Sequence, residues 1–497
     1  MPALPQGLYP AAAVKAIDAA AIAAGTPGVV LMKRAARAAL NLILARYPQA
    51  HLWIFCGGGN NGGDGYVLAG LAKSRGLQVS LFWAEDPAKL SREAADAYAF
   101  ALQEQVEIQP ASALPAQVPE QLLIVDALLG IGLTGEVRPA TAALIQKLNQ
   151  YRAPRLALDI PSGLCADTGR VLGAALQASL SLCFVALKPG LFTGSGPALC
   201  GEVLFDDLAI APEFYPPAPI TRVDAQTCAG LLPRRAADAH KGHSGHVLVV
   251  GGELGMGGAG LLCSEAALKV GAGLVSLATR AEHVLASQVR RPEIMAKAVN
   301  TAADLAGLTA KASVLALGPG LGQEPWGQQL HQSVLSSGKP LVLDADGLNL
   351  LARTTAGLSC PSPCIITPHP AEAARLLGIT TEQVQADRLA AAANLAAKTQ
   401  AVVVLKGAGT VIASGNQRFI AKVGNPVLAT AGSGDVLCGL IAGLWAQGLA
   451  ALDAALLGVC LHGALADALV AGNCHFGHSA GDLIGALPQV CAGWEAQ

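Results

Sequence analysis

The chain has 497 residues, 52% of them hydrophobic and 14% charged, with a formal net charge of −2. That length exceeds one ordinary core and the apolar content excludes a disordered chain, so two domains with large Ala/Gly-rich cores are expected. Both charge signs are dispersed and no arginine-rich run occurs, so nucleic acid is not an expected partner.

The N-terminus carries no signal pattern, because Lys15 and Asp18 interrupt its apolar run. Residues 436–452 are the most apolar long stretch, but Gln447, several glycines and the following Asp453 favour a packed core helix over a membrane span. No membrane partner and a cytoplasmic location are therefore expected. Twelve cysteines are scattered along the chain. Cys360 and Cys364 form a lone C-x-x-x-C without the roughly four ligands that structural zinc needs, and read as thiols of a reducing compartment.

In chain order, residues 10–46 place apolar positions at helical spacing, broken at Gly25-Thr26-Pro27-Gly28. HLWIFC (51–56) reads as a strand, GGGNNGGDG (57–65) as a loop, and YVLAGLAKSRG, from residue 66, as a helix. Strand, Gly-rich loop and helix form the plan of a phosphate-cradling turn, although neither G-x-G-x-x-G nor a Walker A loop is present. QVSLFW (78–83) is the next strand. LLIVDALLG (122–130) carries Asp126 near its carboxyl end and runs into GIGLTGE (130–136). RLALDIPSG (155–163) repeats the design with Asp159 and Ser162 just past the strand. A carboxylate at a strand end can equally be a cap. Asn61, Asp126 and Ser162 nevertheless fall on one edge of a parallel sheet, where crevices form. They offer hard oxygen donors with one formal charge, which suits an alkali cation better than Ca²⁺ or Mg²⁺. After the strands in ASLSLCFVAL and GEVLFDDLAI, the proline-dense APEFYPPAP (211–219) reads as a linker and sets domains of 1–219 and 220–497.

The second half starts again with GHVLVVGGELGMGGAGLL (245–262), followed by LKVGAGLVSLATR, ASVLALGPGLG (312–322) and PLVLDADGLNLL (340–351). Strands alternating with helices predict a doubly wound, mostly parallel α/β sheet. Three polar loops then follow strand-like runs: Thr367-Pro368-His369-Pro370, Lys406-Gly407-Ala408-Gly409-Thr410 and Ala431-Gly432-Ser433-Gly434-Asp435. In the last, Gly432 and Gly434 stand where the backbone enters a helix read from Val436. Unpaired N–H groups and the helix dipole attract phosphate there. Asp435, at the rim of such an anion hole, is either an N-cap or a group that handles a proton.

These residues resemble the bifunctional NAD(P)H-hydrate repair family, a hydrate epimerase fused to a nucleotide-dependent hydrate dehydratase. The N-terminal resemblance rests on GNNGGDG, VDALLGIGLTGE, LDIPSG and LKPGLFTG; the C-terminal one on HKGHSGHVLVVGG, GMGGAG, GAGLVSLATR, GPGLG, TPHPAE, KGAGT and AGSGD. It implies a Rossmann-like α/β domain that interconverts the epimers of hydrated NADH and NADPH (NADHX and NADPHX). It implies next a ribokinase-like domain that dehydrates the S-epimer at the expense of ADP, with Mg²⁺, in a cytoplasmic homo-oligomer. By position it assigns the substrate to Asn60, Asn61, Gly62, Gly63 and Asp64, to Gly130, Ile131, Gly132, Leu133, Thr134, Gly135 and Glu136, and to Asp159. It assigns K⁺ to Asn61, Asp126 and Ser162. In the second domain it gives the hydrate to Ala259, Gly320, His369 and Asp435, and the nucleotide to Lys406, Gly407, Ala408, Gly409, Thr410 and Gly434. Asp159 and Asp435 are the implied catalytic groups. Two departures stand out, Glu253 where the pattern has Asp and Ala36 where it has Gly. The alternative is a ribokinase-like small-molecule kinase carrying a fused nucleotide-binding domain.

Overall fold

Alternation along each strand decides which helices cover which face. In β1 (His51–Cys56), Leu52, Ile54 and Cys56 enter one apolar cluster while Trp53 and Phe55 enter another. A strand buried on both faces reads as a continuous apolar run, as HLWIFC does. The computed structural model describes residues 4–495, apart from 116, 235–236, 239, 355–357, 359, 361–362 and 472–473. It divides into two units, Met1–Thr221 and Arg222–Gln497. The short strand Ile220–Val223 carries the division, just beyond the proline-dense stretch.

In the first unit α1 (Ala11–Ala23) and α2 (Gly28–Arg46) precede β1. Then follow α3 (Asn60–Ser74), β2 (Val79–Trp83), α4 (Arg92–Gln103), β3 (Glu107–Pro110) and β4 (Leu122–Ala127). The unit continues through α5 (Pro139–Gln150), β5 (Arg155–Leu158), β6 (Leu180–Phe184) and β7 (Glu202–Asp206). The strand order is β3-β2-β1-β4-β5-β6-β7 and every pairing is parallel. All loops that follow strands therefore open on one edge.

The second unit contains β8 (His246–Val250), α6 (Gly257–Lys269), β9 (Leu274–Thr279), α7 (Ala281–Arg290), β10 (Met295–Ala298), β11 (Val314–Leu317), β12 (Leu341–Leu343) and α8 (Ala345–Ala352). It continues with β13 (Cys364–Ile366), α9 (Pro370–Leu377), α10 (Arg388–Thr399), β14 (Val402–Leu405), β15 (Val411–Ser414) and β16 (Gln417–Ala421). It ends with α11 (Ser433–Ala446), α12 (Ala451–Leu469) and α13 (Ala480–Glu495). These nine strands run β16-β15-β14-β13-β12-β11-β8-β9-β10. The sheet is parallel up to β14, and β15 and β16 add an antiparallel hairpin beside it. Gly415, with φ of 51°, makes the turn.

Two helices begin earlier than expected from the sequence. The helix read from residue 66 starts at Asn60, so NNGGD is its first turns and only Gly57, Gly58 and Gly59 form the loop. Its glycines are there for close packing. A Cβ on Gly62 would lie 2.0 Å from the Gly57 carbonyl oxygen, and one on Gly63 would lie 2.4 Å from the Met32 methyl. The helix read from Val436 starts at Ser433, with Gly432 at φ of 85° as its N-cap. The apolar residues 436–452 therefore span most of α11, a turn and the start of α12. By length and composition alone α12 could cross a membrane, but 67% of that apolar window is buried within the protein.

Each unit has apolar clusters of its own. Expressed separately, fragments 1–219 and 220–497 are expected to fold and to give one cooperative thermal transition each, measured by circular dichroism. Failure of both to fold alone would overturn the two-core reading.

Candidate active sites

In the first unit, Asp126 lies wholly buried at the end of β4. Its Oδ1 accepts hydrogen bonds from Leu128 N (3.1 Å) and Ser162 Oγ (2.6 Å), and its Oδ2 from Ser162 N (2.8 Å). Burial pushes its carboxyl up to about 6, against the pull of those bonds. Asn61, in the first turn of α3, donates from Nδ2 to the Leu129 carbonyl (3.2 Å). Ser162 Oγ accepts from Leu129 N (2.8 Å). Leu129 thus ties the three expected donors to one loop. Among the described residues the buried Asn61 Oδ1 has no hydrogen-bond partner, and a buried amide oxygen in that state is costly unless something positive meets it. That oxygen beside a buried carboxylate fits a singly charged, oxygen-preferring cation.

A cavity of about 690 Å³ opens at this edge, lined among others by Asp18, Asn60, Asn61, Asp64 and Asp159 and by Gly130, Ile131, Gly132, Leu133 and Thr134. Gly62, Gly63, Gly135 and Glu136 do not line it. The Gly63 N–H is already bonded to Gly59 O (3.0 Å), so Asn60, Asn61 and Gly62 are the residues of that turn whose N–H groups stay open to a phosphate. Burial, then Asp159 and Asp18, raise the Asp64 carboxyl well above its usual range. Asp159 has φ of 66° and forms an ion pair with the wholly buried Lys188. Lys188 and Asp18 were not singled out as site residues from the sequence. Lys188 stands in LKPGLFTG, and Asp18 interrupts an Ala-rich helix, which was the only signal available for it.

In the second unit, Asp435 sits in the first turn of α11. The Ser433 N–H bonds Thr430 O (3.3 Å), which leaves the Gly434 and Asp435 N–H groups for an anion. Burial and the nearby Asp344 push the Asp435 carboxyl up to about 7, against Lys406. Lys406, just past β14, donates from Nζ to Asp344 Oδ1 (2.8 Å). A Cβ on Gly434 would lie 3.4 Å from that Nζ and 3.9 Å from Asp344 Oδ2, so the pair lies directly against the start of α11. Asp344 ends β12 and is 1% exposed. It too was passed over in the sequence, although two acids in LDADG at a strand end were a visible signal.

The remaining expected residues lie on loops after β11, β13 and β14 and, for Ala259, in the first turn of α6. Gly320 (φ 57°) would place a Cβ 3.1 Å from that of Ala259. His369 caps α9, its Nδ1 accepting from Ala371 N (3.1 Å), while burial, then Lys406 and Arg375, lower its pKa. The Lys406–Thr410 loop is held from behind by Arg388, whose Nη2 donates to the carbonyls of Leu405 (3.1 Å) and Lys406 (3.2 Å). Arg388 was likewise not anticipated. Glu253, the first departure, binds Arg280 with both oxygens (2.6 and 3.0 Å), and Arg280 lies over Trp326. The longer side chain therefore anchors the glycine loop. Ala36, the second departure, is a fully buried helix-packing residue.

Residues 247–489 match the family model described as NAD(P)H-hydrate dehydratase, and residues 28–190 the one described as YjeF-related protein N-terminus. The bifunctional NAD(P)H-hydrate repair enzyme of Coxiella burnetii is 45% identical over 471 residues, covering 93% of this chain and 94% of its own. That of Escherichia coli K12 is 41% identical over 464 residues, covering 93% and 89%. Among solved structures, a ribokinase-like superfamily protein from Enterococcus faecalis aligns with a TM-score of 0.52 at 28% identity, covering 56% of this chain and 96% of its own. Similarity along both halves supports the repair enzyme over a ribokinase-like small-molecule kinase with a fused nucleotide-binding domain. The chain belongs to the bifunctional NAD(P)H-hydrate repair enzyme family.

Proposed function

We propose that the first unit epimerises the R and S hydrates of NADH and NADPH, and that the second dehydrates the S-epimer with ADP, yielding NAD(P)H, AMP and phosphate. The observation that carries this is Asp435, a carboxyl held up to about 7 in the first turn of a helix whose leading N–H groups are placed to receive an anion. A base titrating near neutrality is well matched to taking a hydroxyl proton. The hydroxyl oxygen of the hydrate attacks the terminal phosphorus of ADP, its proton passes to Asp435, and the bond to AMP breaks. The ring nitrogen's lone pair then expels phosphate, and loss of the neighbouring ring proton restores the double bond. The Gly434 and Asp435 N–H groups and the Lys406 ammonium meet the charge on the transferred oxygens. Ala259, Gly320 and His369 would seat the hydrate, and residues 406–410 the nucleotide. Asp344 and Asp346 both push the Asp435 carboxyl upward, an excess of negative charge that fits Mg²⁺ carried in on the phosphates.

In the first unit Asp159 is the proposed proton carrier. Asn60, Asn61, Gly62 and Asp64 would hold the hydrate's phosphates and ring, with the loop of residues 130–136 over them. Asn61, Asp126 and Ser162 would hold K⁺, which when bound supplies positive charge that fixes the loop and the pyrophosphate.

For the dehydratase, the rate is expected to fall about tenfold per pH unit below about 7, as the Asp435 carboxyl gains its proton. Asp435→Asn should lose about 10²–10⁴ in turnover and lose this acid limb, with ADP binding near normal by calorimetry. Epimerisation should persist. A near-wild-type rate would make Asp435 a helix cap, and accumulation of a stable phosphorylated product would favour the kinase reading.

For the cation site, the sign follows from Asp126. Its folded pKa of about 6 exceeds the unfolded value of about 3.9, so it disfavours the fold once pH rises above both. A bound cation offsets this. K⁺ is therefore expected to raise the first thermal transition at pH 7.5, and Asp126→Ala to abolish that shift and impair epimerisation while dehydration of the S-epimer continues. A K⁺ shift that survives Asp126→Ala would remove the site from these residues.

A further inference from the structure

The residue that controls Asp159 lies outside every residue assigned above. Lys188 follows β6 by four residues and is 0% exposed. An ammonium carries three donors and no acceptor, and inside a protein each must be met. Its Nζ donates to Asp159 Oδ1, to the Phe184 carbonyl (2.8 Å) and to Cys183 Sγ (3.3 Å). All three donors are committed, so the head group has one geometry. Burial alone would lower its pKa, yet Asp159 and Cys183 more than restore it, and Lys188 stays charged.

Asp159 is held as tightly. Its φ of 66° is one that L side chains rarely adopt, and such strain persists only where the surroundings over-determine it. Its N–H bonds the Leu182 carbonyl (2.8 Å). Oδ1 accepts from Phe184 N (3.1 Å) as well as from Lys188. Among the described residues Oδ2 accepts nothing, and the side chain lines the cavity. One oxygen is anchored and the other is presented. Besides Lys188, two carboxyls, Asp18 from α1 and Asp64 from α3, interact with Asp159 electrostatically. Their repulsion would turn an untethered carboxylate away from the cavity.

We infer that Lys188 is the positioning residue of the epimerase site, fixing Oδ1 of Asp159 so that Oδ2 faces the reacting carbon of the hydrate. This rests on the reading of Asp159 as the proton carrier. Lys188 need not touch the substrate. It acts through Asp159 and has no effect where Asp159 cannot accept a proton.

A double-mutant cycle on the full-length protein tests this, with kcat and KM measured for R-to-S conversion of NADH hydrate by chromatography. Lys188→Met should lower kcat by about 10²-fold, the usual cost of misplacing a catalytic group by about 1 Å, with KM little changed. Asp159→Asn should cost at least as much. In the double variant the losses should not multiply, leaving it within about threefold of Asp159→Asn, on the order of the scatter of additive sites. The double variant also leaves no unpaired buried charge, so it remains foldable if Lys188→Met is not. In that event Lys188→Gln takes its place in the cycle, since its amide still donates to one oxygen. Losses that multiply, a rise in KM with kcat intact, or a kcat within twofold of wild type for the Lys188 variant would each overturn the inference. A near-wild-type rate for Asp159→Asn would instead overturn the reading of Asp159 itself, whatever Lys188 does.

Discussion

Each unit takes a lysine largely out of water beside its candidate site. Lys188 pairs with Asp159 at side-chain exposures of 0% and 13%, and Lys406 with Asp344 at 20% and 2%. Removing one partner of such a pair leaves the other charge buried, at a cost of about 3–5 kcal/mol. The pairs exist because parallel strands end on one edge. Asp159 and Lys188 follow the adjacent strands β5 and β6, while Asp344 and Lys406 follow β12 and β14, which flank β13. Register thus brings together residues 29 and 62 positions apart in the chain.

Around each pair the glycines do two separate jobs. At the start of α3, Gly57 and Gly62 remove Cβ atoms that would lie 1.9 and 2.0 Å from carbonyl oxygens, so the helix can seat against the sheet. At the start of α11, Gly432 supplies a left-handed cap, and Gly434 keeps the space beside the Lys406 ammonium free of a side chain. The first pair is a packing requirement and the second an access requirement. Sequence composition cannot separate them, because both appear as glycine beside a polar residue.

Most of the parallel strands were legible in the sequence, and so were the two sheet edges, one carrying Asn61, Asp126, Asp159 and Ser162 and the other, in the second unit, Asp435. β1, β8 and β11 are apolar runs followed by glycine, and β5 and β12 are followed by aspartate; a parallel sheet leaves no other edge for those loops. The helix starts at Asn60 and Ser433 were misjudged, because glycine was read as breaking a helix where it serves as a packing surface within the first turns. Lys188, Asp344 and Arg388 were missed for a different reason. Each acts through a partner distant in sequence, and a lysine after an apolar strand looks like a solvated strand end until the partner is placed. The hairpin of β15 and β16 was not anticipated, because the strand–helix alternation that pointed to a parallel sheet carries no signal for an antiparallel pair.

Asp126 and Asp435 show how one residue type takes two roles on similar edges. Both carboxyls are raised by burial, to about 6 and about 7. Asp126 accepts three hydrogen bonds, two of them from Ser162, and cannot turn. Its remaining need is charge compensation, which the proposed K⁺ beside the Asn61 oxygen would meet. Asp435 accepts no hydrogen bond among the described residues, and its shift has a second source in the like charge of Asp344. A carboxyl without donors around it exchanges its proton at little structural cost, whereas one pinned by donors favours the anion. Hydrogen-bond count, more than burial, therefore separates the carboxylate suited to holding a metal from the one suited to moving a proton.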